Sequence, residues 1–324
     1  MGEPQSPSLK ANAMQTLVTQ LCVTVEATRT LAWPHFAGSR IRGAFGRALR
    51  QAACITGQPQ CDGCAVRAQC AYGVVFDPAA PAQALHPSFQ NGLPAYLIQV
   101  PPLGARQLRP GDTVCFSVQL LAGDQSQHRL VEHVMPDAVN HHLFKPGDCT
   151  LQAIECRQLP AVSMAIDADA VPTLRNIQLH WLTPMRLQHL GKPLFRPRDL
   201  SAAALIGAAW RRYLQWCQLT RQTPNPPQPP LDAARQCTLD TQAMHWHDIS
   251  RYSNTQQKHL PLGGLLGHAV LTGPDSALKT LLPLLRLGEQ LHIGKETVFG
   301  LGRYHIHPLR PTATATATPT GATL

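Results

Sequence analysis

The chain has 324 residues, 44% of them hydrophobic, and carries 28 lysines and arginines against 19 acidic residues, a formal net charge of +9 with 15 histidines beyond it. That length and apolar content suffice for two ordinary domains, and the charge excess favours a polyanionic partner, while aromatics at 6% are too scarce for an extended base-stacking platform. No run of eighteen apolar residues exists and the opening residues hold no apolar signal core, so no membrane-spanning helix is predicted and a cytoplasmic protein is expected.

Met14 to Ala27, MQTLVTQLCVTVEA, spaces Leu17, Leu21, Val23 and Val25 in an alternation broken at Thr19, the pattern of a strand. After the loop LAWPHFAGS, the segment SRIRGAFGRALRQAAC reads as a helix with Ser39 as its N-cap and Ile41, Phe45, Ala48, Leu49 and Ala52 on one face. Arg40, Arg47 and Arg50 fall on the opposite face, and Gly43 and Gly46 lie on that side too. A solvent-facing helical glycine costs about 1 kcal/mol relative to alanine. The two glycines therefore mark either a close approach to the backbone or packing at the edge of the apolar face. Three arginines beside them, at the start of a helix whose first amides attract anions, make a phosphate site plausible.

Next comes a cysteine cluster, Cys54-x6-Cys61-x2-Cys64-x5-Cys70. A C-x2-C pair chelates well and four thiolates complete a tetrahedral structural zinc site, although the spacing is irregular for a zinc ribbon; an iron–sulfur cluster or reduced, unligated thiols are the other readings. A closed four-cysteine site leaves no open position, so its role would be to brace the loop after the helix. Strands are predicted around Thr113–Leu121 and Cys149–Gln158, with no evident helix between them. A domain boundary is placed near residue 172.

The second half reads as a strand from Arg175, a strong amphipathic helix over Asp199–Leu219, strands around Met244–Tyr252 and Leu265–Leu271, a helix over Ser276–Leu287 and a last strand over Arg303–Pro308. That β-α-β-β-α-β order is ferredoxin-like, and the first half is read as a second copy, giving an α+β chain of two tandem ferredoxin-like domains over residues 1–172 and 173–309. The tail 310–324 has too few large apolar residues to fold. Between the last helix and strand lies LRLGEQLHIGKETVFGLGRYHI, with Gly288, Gly294, Gly300 and Gly302. Glycines stop helices and make turns, and they also clear side chains from a backbone that an anion approaches.

The segments GSRIRGAFGRALRQAAC, CDGCAVRAQCAYGVVFDP, LPLGGLLGHAVLTG and LRLGEQLHIGKETVFGLGRYHI together resemble the CRISPR-associated endoribonucleases of the RAMP superfamily that cut repeat RNA. The resemblance implies two ferredoxin-like folds with RNA held over the cleft and along basic surface. It also implies metal-independent cleavage by the RNA's own 2′-hydroxyl, giving a 2′,3′-cyclic phosphate and a 5′-hydroxyl. Relatives that share RGAFG often carry a histidine where this chain has Arg47. His35 is therefore the first candidate for general base, with a plain loop role as the alternative. Arg40, Arg47 and Lys295 are expected to stabilise the transition state. Arg42, Arg50, His292, Gly294, Gly300, Gly302 and Arg303 are expected to contact RNA, with His292 alternatively a buried strand residue. The expected partners are CRISPR repeat RNA and other subunits of an effector complex. A non-catalytic guide-RNA-binding subunit is the rival function, favoured by Arg47.

Overall fold

The computed structural model describes residues 18–144, 151–162, 173–189, 191–253 and 258–309. The expected strand residue Leu17, the start of the strand placed at Cys149, the proposed boundary at 172 and the tail 310–324 lie outside these residues.

In the first half, β1 (Val18–Ala27) turns Leu21, Val23, Val25 and Ala27 into the core and leaves Gln20, Cys22, Thr24 and Glu26 on the other face. A short β2 (Leu31–Trp33) leads to α1 (Gly38–Ala53), followed by a single turn, α2 (Ala71–Val75). Strand β3 (Tyr96–Gln99), the short β4 (Arg106–Leu108) and β5 (Thr113–Leu120) come next. Helix α3 (Gln125–Asp137) and β6 (Leu151–Val162) complete the unit. The sheet order is β3-β5-β1-β6, all antiparallel, which is the ferredoxin-like arrangement of first, second, third and fourth strands as 4-1-3-2.

Helix α3 is the element not evident in the sequence, and it opens on a capping box. The Asp124 carboxylate accepts from the Gln127 amide and the Gln127 side chain accepts from the Asp124 amide. Pro136 sits inside its last turn and breaks the apolar periodicity there. Helix α1 also begins differently from expectation. Its N-cap is Ala37, and Ser39 lies inside the first turn with a buried Oγ that has no partner.

The second half repeats the order. Strand β7 (Asn176–Met185), the small hairpin β8 (Gln188–His189) and β9 (Lys192–Pro193), then α4 (Ala202–Thr220) lead to the single turn α5 (Leu231–Arg235). Strands β10 (Thr238–Asp240) and β11 (Met244–His247) share the edge beside β14 (Gly264–Thr272), with the hairpin β12 (Ser250–Ser253) and β13 (Lys258–Pro261) between. Helix α6 (Asp275–Leu291) and β15 (Tyr304–Leu309) close it, so the sheet again runs 4-1-3-2. The strand expected over Met244–Tyr252 is two strands, β11 and β12, in different ladders.

Each half has its own apolar core, and each lends residues to the other. Phe89, Leu97 and Leu121 pack into the core of the second half, while Ile249, Leu262, Phe299 and Leu301 pack into that of the first. The halves meet along the start of α1, β3 and the turn at Thr297–Phe299. A Cβ on Gly38 would stand 1.8 Å from the Phe299 carbonyl oxygen, so only glycine lets the two backbones come so near.

Candidate active site and nucleic-acid interface

At this junction two histidines from opposite halves meet. His35 lies in the exposed loop ahead of α1, its carbonyl accepting from the Gly104 amide at 3.0 Å, and His247 ends β11. Their Nε2 atoms are 2.9 Å apart, one donating and one accepting. Burial depresses the pKa of His247, helped by His35 and then His245, while Asp248 opposes the shift. Burial thus favours the neutral form of His247, and two like charges at this distance would repel. The signal for it lies in MHWHDIS, since alternation in a strand puts His245 and His247 on one face.

The arginines of α1 are spread among several tasks. Arg40 is exposed and stacks over Phe144 at 5.0 Å. Arg42 lies between the rings of Phe76 (4.6 Å) and Phe299 (4.9 Å), and Arg251 covers Phe299 at 4.8 Å; the Nε of each arginine is buried without a partner. Arg47 donates to the His142 carbonyl at 2.6 Å, and Arg50 donates to the carbonyls of Gln58 and Pro59, bracing the cysteine loop. Gly43 has open space around it, whereas a Cβ on Gly46 would meet the Phe76 ring at 2.3 Å, so Gly46 serves packing.

The glycine loop departs from the sequence expectation. Gly300 and Gly302 are buried; their amides donate to Thr297 and Pro184, and the Ile293 carbonyl stands 1.9 Å from where a Gly302 Cβ would be. The chain's own backbone fills the space expected for a phosphate. His292 is likewise not a surface residue. It is fully buried with both ring nitrogens unpartnered, and burial, followed by Arg303 and Arg212, drives its pKa well below 6.5. It therefore cannot contact RNA as placed. Arg303 is partly buried, its guanidinium reaching the Val100 carbonyl at 3.5 Å. Gly294 and Lys295 face a different place, a cavity of about 470 Å³ lined also by Arg186, Arg211 and Arg212. His35 does not line it.

Cys54, Cys61, Cys64 and Cys70 line one cavity of about 20 Å³. The Thr56 hydroxyl bridges Cys54 and Cys64 at 3.8 and 3.7 Å. The Gly57 amide and the Thr56 hydroxyl lower the Cys54 thiol pKa, while burial and Asp77 raise that of Cys61. Among the described residues, no three or more of His, Cys, Asp and Glu stand ready to hold a metal ion. Among the same residues no helix is long and apolar enough to cross a membrane.

Two 4-1-3-2 sheets joined by shared cores define a tandem ferredoxin-like α+β protein, here with a histidine pair at the junction. Residues 179–304 match the model of the CRISPR-associated endoribonuclease Cas6 family, and residues 15–169 match a family described as the AF_1859_N N-terminal domain. The match over the second half bears out the resemblance read from the sequence.

Among solved structures the chain resembles a Cas6 product complex (TM-score 0.55, 14% identity, 90% of this chain and 99% of that one) and Thermus thermophilus Cas6 (0.51, 12%, 90% and 98%). It also resembles a partial Cas6-RT-Cas1–Cas2 complex (0.56, 15%), where it covers 90% of itself and 46% of that chain, so it spans about half that relative's length. At these identities the likeness establishes the fold. No curated protein matches the chain in a sequence search.

Proposed function

We propose that the protein is an endoribonuclease that binds CRISPR repeat RNA and cuts it to guide RNA, using the RNA's own 2′-hydroxyl. The observation that carries this reading is the contact between His35 and His247 across the junction of a Cas6-type fold. Neutral His247 takes the proton from the 2′-oxygen as that oxygen bonds to phosphorus. The P–O5′ bond breaks, and His35 supplies a proton to the departing 5′-oxygen. The products are a 2′,3′-cyclic phosphate and a 5′-hydroxyl, with both proton transfers made by side chains. This gives His247 the role assigned to His35 from sequence, since burial favours the neutral form of His247 that a base requires. A scissile phosphate entering between the rings replaces the histidine–histidine hydrogen bond, and His35, on an exposed loop, is the partner free to swing.

Arg40, exposed at the start of α1, is the nearest of the expected cations in sequence to His35 and is assigned to the charge on the phosphorane. Arg47 is assigned a supporting position through the His142 carbonyl. Structural zinc on Cys54, Cys61, Cys64 and Cys70 is proposed as well on the chemistry of four thiols lining one cavity; as placed they do not converge, so binding would require them to draw together. Repeat RNA is the proposed partner, with other CRISPR subunits as further ones, a reading supported by the assembly named for one structural relative.

Cleavage of the cognate repeat in EDTA, by wild type, His35→Ala and His247→Ala, with a 2′-deoxy substrate as control, tests the reading. Expected are metal-independent cutting by wild type, an inert deoxy substrate and a loss of about 10²–10⁴-fold in each variant. Tight binding with no cutting under any condition would make the chain a guide-RNA-binding subunit.

A further inference from the structure

The cavity beside Gly294 gathers four cationic side chains, Arg186, Arg211, Arg212 and Lys295, and no acidic one. Among the described residues no carboxylate forms a salt bridge with any of the four. Three of them have committed donors. Arg186 donates to the Pro261 carbonyl at 2.8 Å, Arg211 to that of Gln188 at 3.2 Å, and the Nε of Arg212 to that of Leu291 at 2.7 Å. Carbonyls orient guanidinium groups without cancelling their charge.

Arg212 is the most telling. It is 8% exposed, its Nη1 is taken by Gln215, and its Nη2 is buried with no partner at all. A buried charged donor left unpaired has lost its water and gained nothing in return, a larger penalty than for a neutral donor. Such an arrangement persists where an anion completes it.

The walls narrow the class of anion. Phe89, Leu187 and Ala208 line the same cavity as the cations, and at about 470 Å³ it falls in the range of about 300–1,000 Å³ typical of small-molecule sites. A bare inorganic ion would leave the apolar wall uncovered. A group with an anionic end and a flat, largely apolar end suits a lining that is both cationic and apolar, and Ser88, Gln188 and Gln215 add neutral polar groups to it.

We propose that this cavity binds one unstacked nucleotide, its phosphate against Arg211, Arg212 and Lys295 and its base against Phe89 and Leu187. The inference deepens the RNA-processing reading and rests on it for the source of the nucleotide. A strand of the repeat RNA and a free mononucleotide share this chemistry, and the test separates them.

The experiment is calorimetric titration of the full chain with adenosine 5′-monophosphate and with inorganic phosphate, followed by competition with a short single-stranded RNA. Each titration is repeated on Arg211→Gln, Arg211→Lys and Lys295→Gln, the last altering an exposed side chain that the fold does not need. Expected is binding of the monophosphate about tenfold or more tighter than phosphate. Arg211→Gln and Lys295→Gln should each weaken it about tenfold, Arg211→Lys should restore part of the loss, and for RNA the slope of log affinity against log salt should fall by about one per removed cation. Displacement of the monophosphate by RNA identifies the strand as the source; its failure identifies the free nucleotide. Binding of neither ligand, or affinities that ignore all three substitutions, overturns the pocket. These readouts involve no cleavage, so an inert active site would leave them standing, and a failed pocket would leave cleavage standing.

Discussion

Replacing Gly38 by alanine tests the joint between the halves directly. The new methyl would sit 1.8 Å from the Phe299 carbonyl oxygen and 2.6 Å from the Phe36 ring, and contacts under 3.0 Å do not occur for real Cβ atoms. The Phe299 backbone has to retreat by at least 1.2 Å, the difference between 3.0 and 1.8, and it carries the glycine loop with it. Overpacking of this kind costs about 1–3 kcal/mol, which lowers the melting temperature by several degrees at about 2–4 °C per kcal/mol. The larger effect falls on chemistry, because His35 and His247 come from the two sides of the joint and a misplacement of about 1 Å costs roughly 10²-fold in rate.

Gly43→Ala on the same helix is the matched control. Nothing lies within 4 Å of its Cβ, so it should gain up to about 1 kcal/mol of helix propensity and keep its cleavage rate. A drop in RNA affinity for Gly43→Ala alone would mark RNA passing close to that face. The two proteins are compared by thermal melting and by single-turnover cleavage of the repeat. Wild-type melting and cleavage in Gly38→Ala would refute the argument, since the halves would then not be seated through this contact.

Other outcomes follow from the same geometry. With the His247 pKa below 6.5, the limb of the kcat/KM profile that needs a neutral base should extend to more acidic pH than an unperturbed histidine allows, and His247→Ala should abolish that limb. Buried His292 binds its proton in the unfolded chain below 6.5 but not in the folded one, so stability should fall as pH drops from 6.5, by up to about 1.4 kcal/mol per unit from this residue. Denaturant melts of wild type and His292→Gln across that range measure the slope, and equal slopes would remove His292 as the cause. If zinc occupies the cysteine cavity, purified protein should contain one ion per chain by elemental analysis and Cys61→Ser should lose it with a lower melting temperature; metal-free protein of unchanged stability would leave four reduced thiols. Lys295→Ala should weaken RNA binding more than it slows the cut in the bound complex, because Lys295 lines the cavity and His35 does not.

Much of the architecture was open to periodicity. Helix α1, helix α4 and the strands around Leu21–Val25 and Leu265–Leu271 carry patterns long enough to fix their type, and the β-α-β-β-α-β order of the second half follows from them. Strand β3 was hidden by its brevity, four residues with no alternation because three of them are buried. Helix α3 was hidden by Pro136, although Asp124 and Gln127 announce its start.

The site was less legible for a different reason. Spacing reveals which residues share a face of one element, as for His245 and His247, but the partner of His247 is 212 positions away. The glycines misled because burial in the chain's own backbone and access for an outside phosphate require the same residue type. Arg212 carried no signal inside an apolar helix, and only the packing of α4 shows it buried, its Nε donating to the Leu291 carbonyl.

The separation of the two histidines also sets a schedule for the ribosome. At about 5–20 residues per second, roughly 10–40 s pass between the emergence of His35 and that of His247, and β14, the strand β11 pairs with, and β15, which closes the sheet, finish later still. During that interval the nascent first half can fold its own sheet but has no partner for His35. The histidine pair proposed to cut RNA is therefore assembled only once nearly the whole described chain has been made.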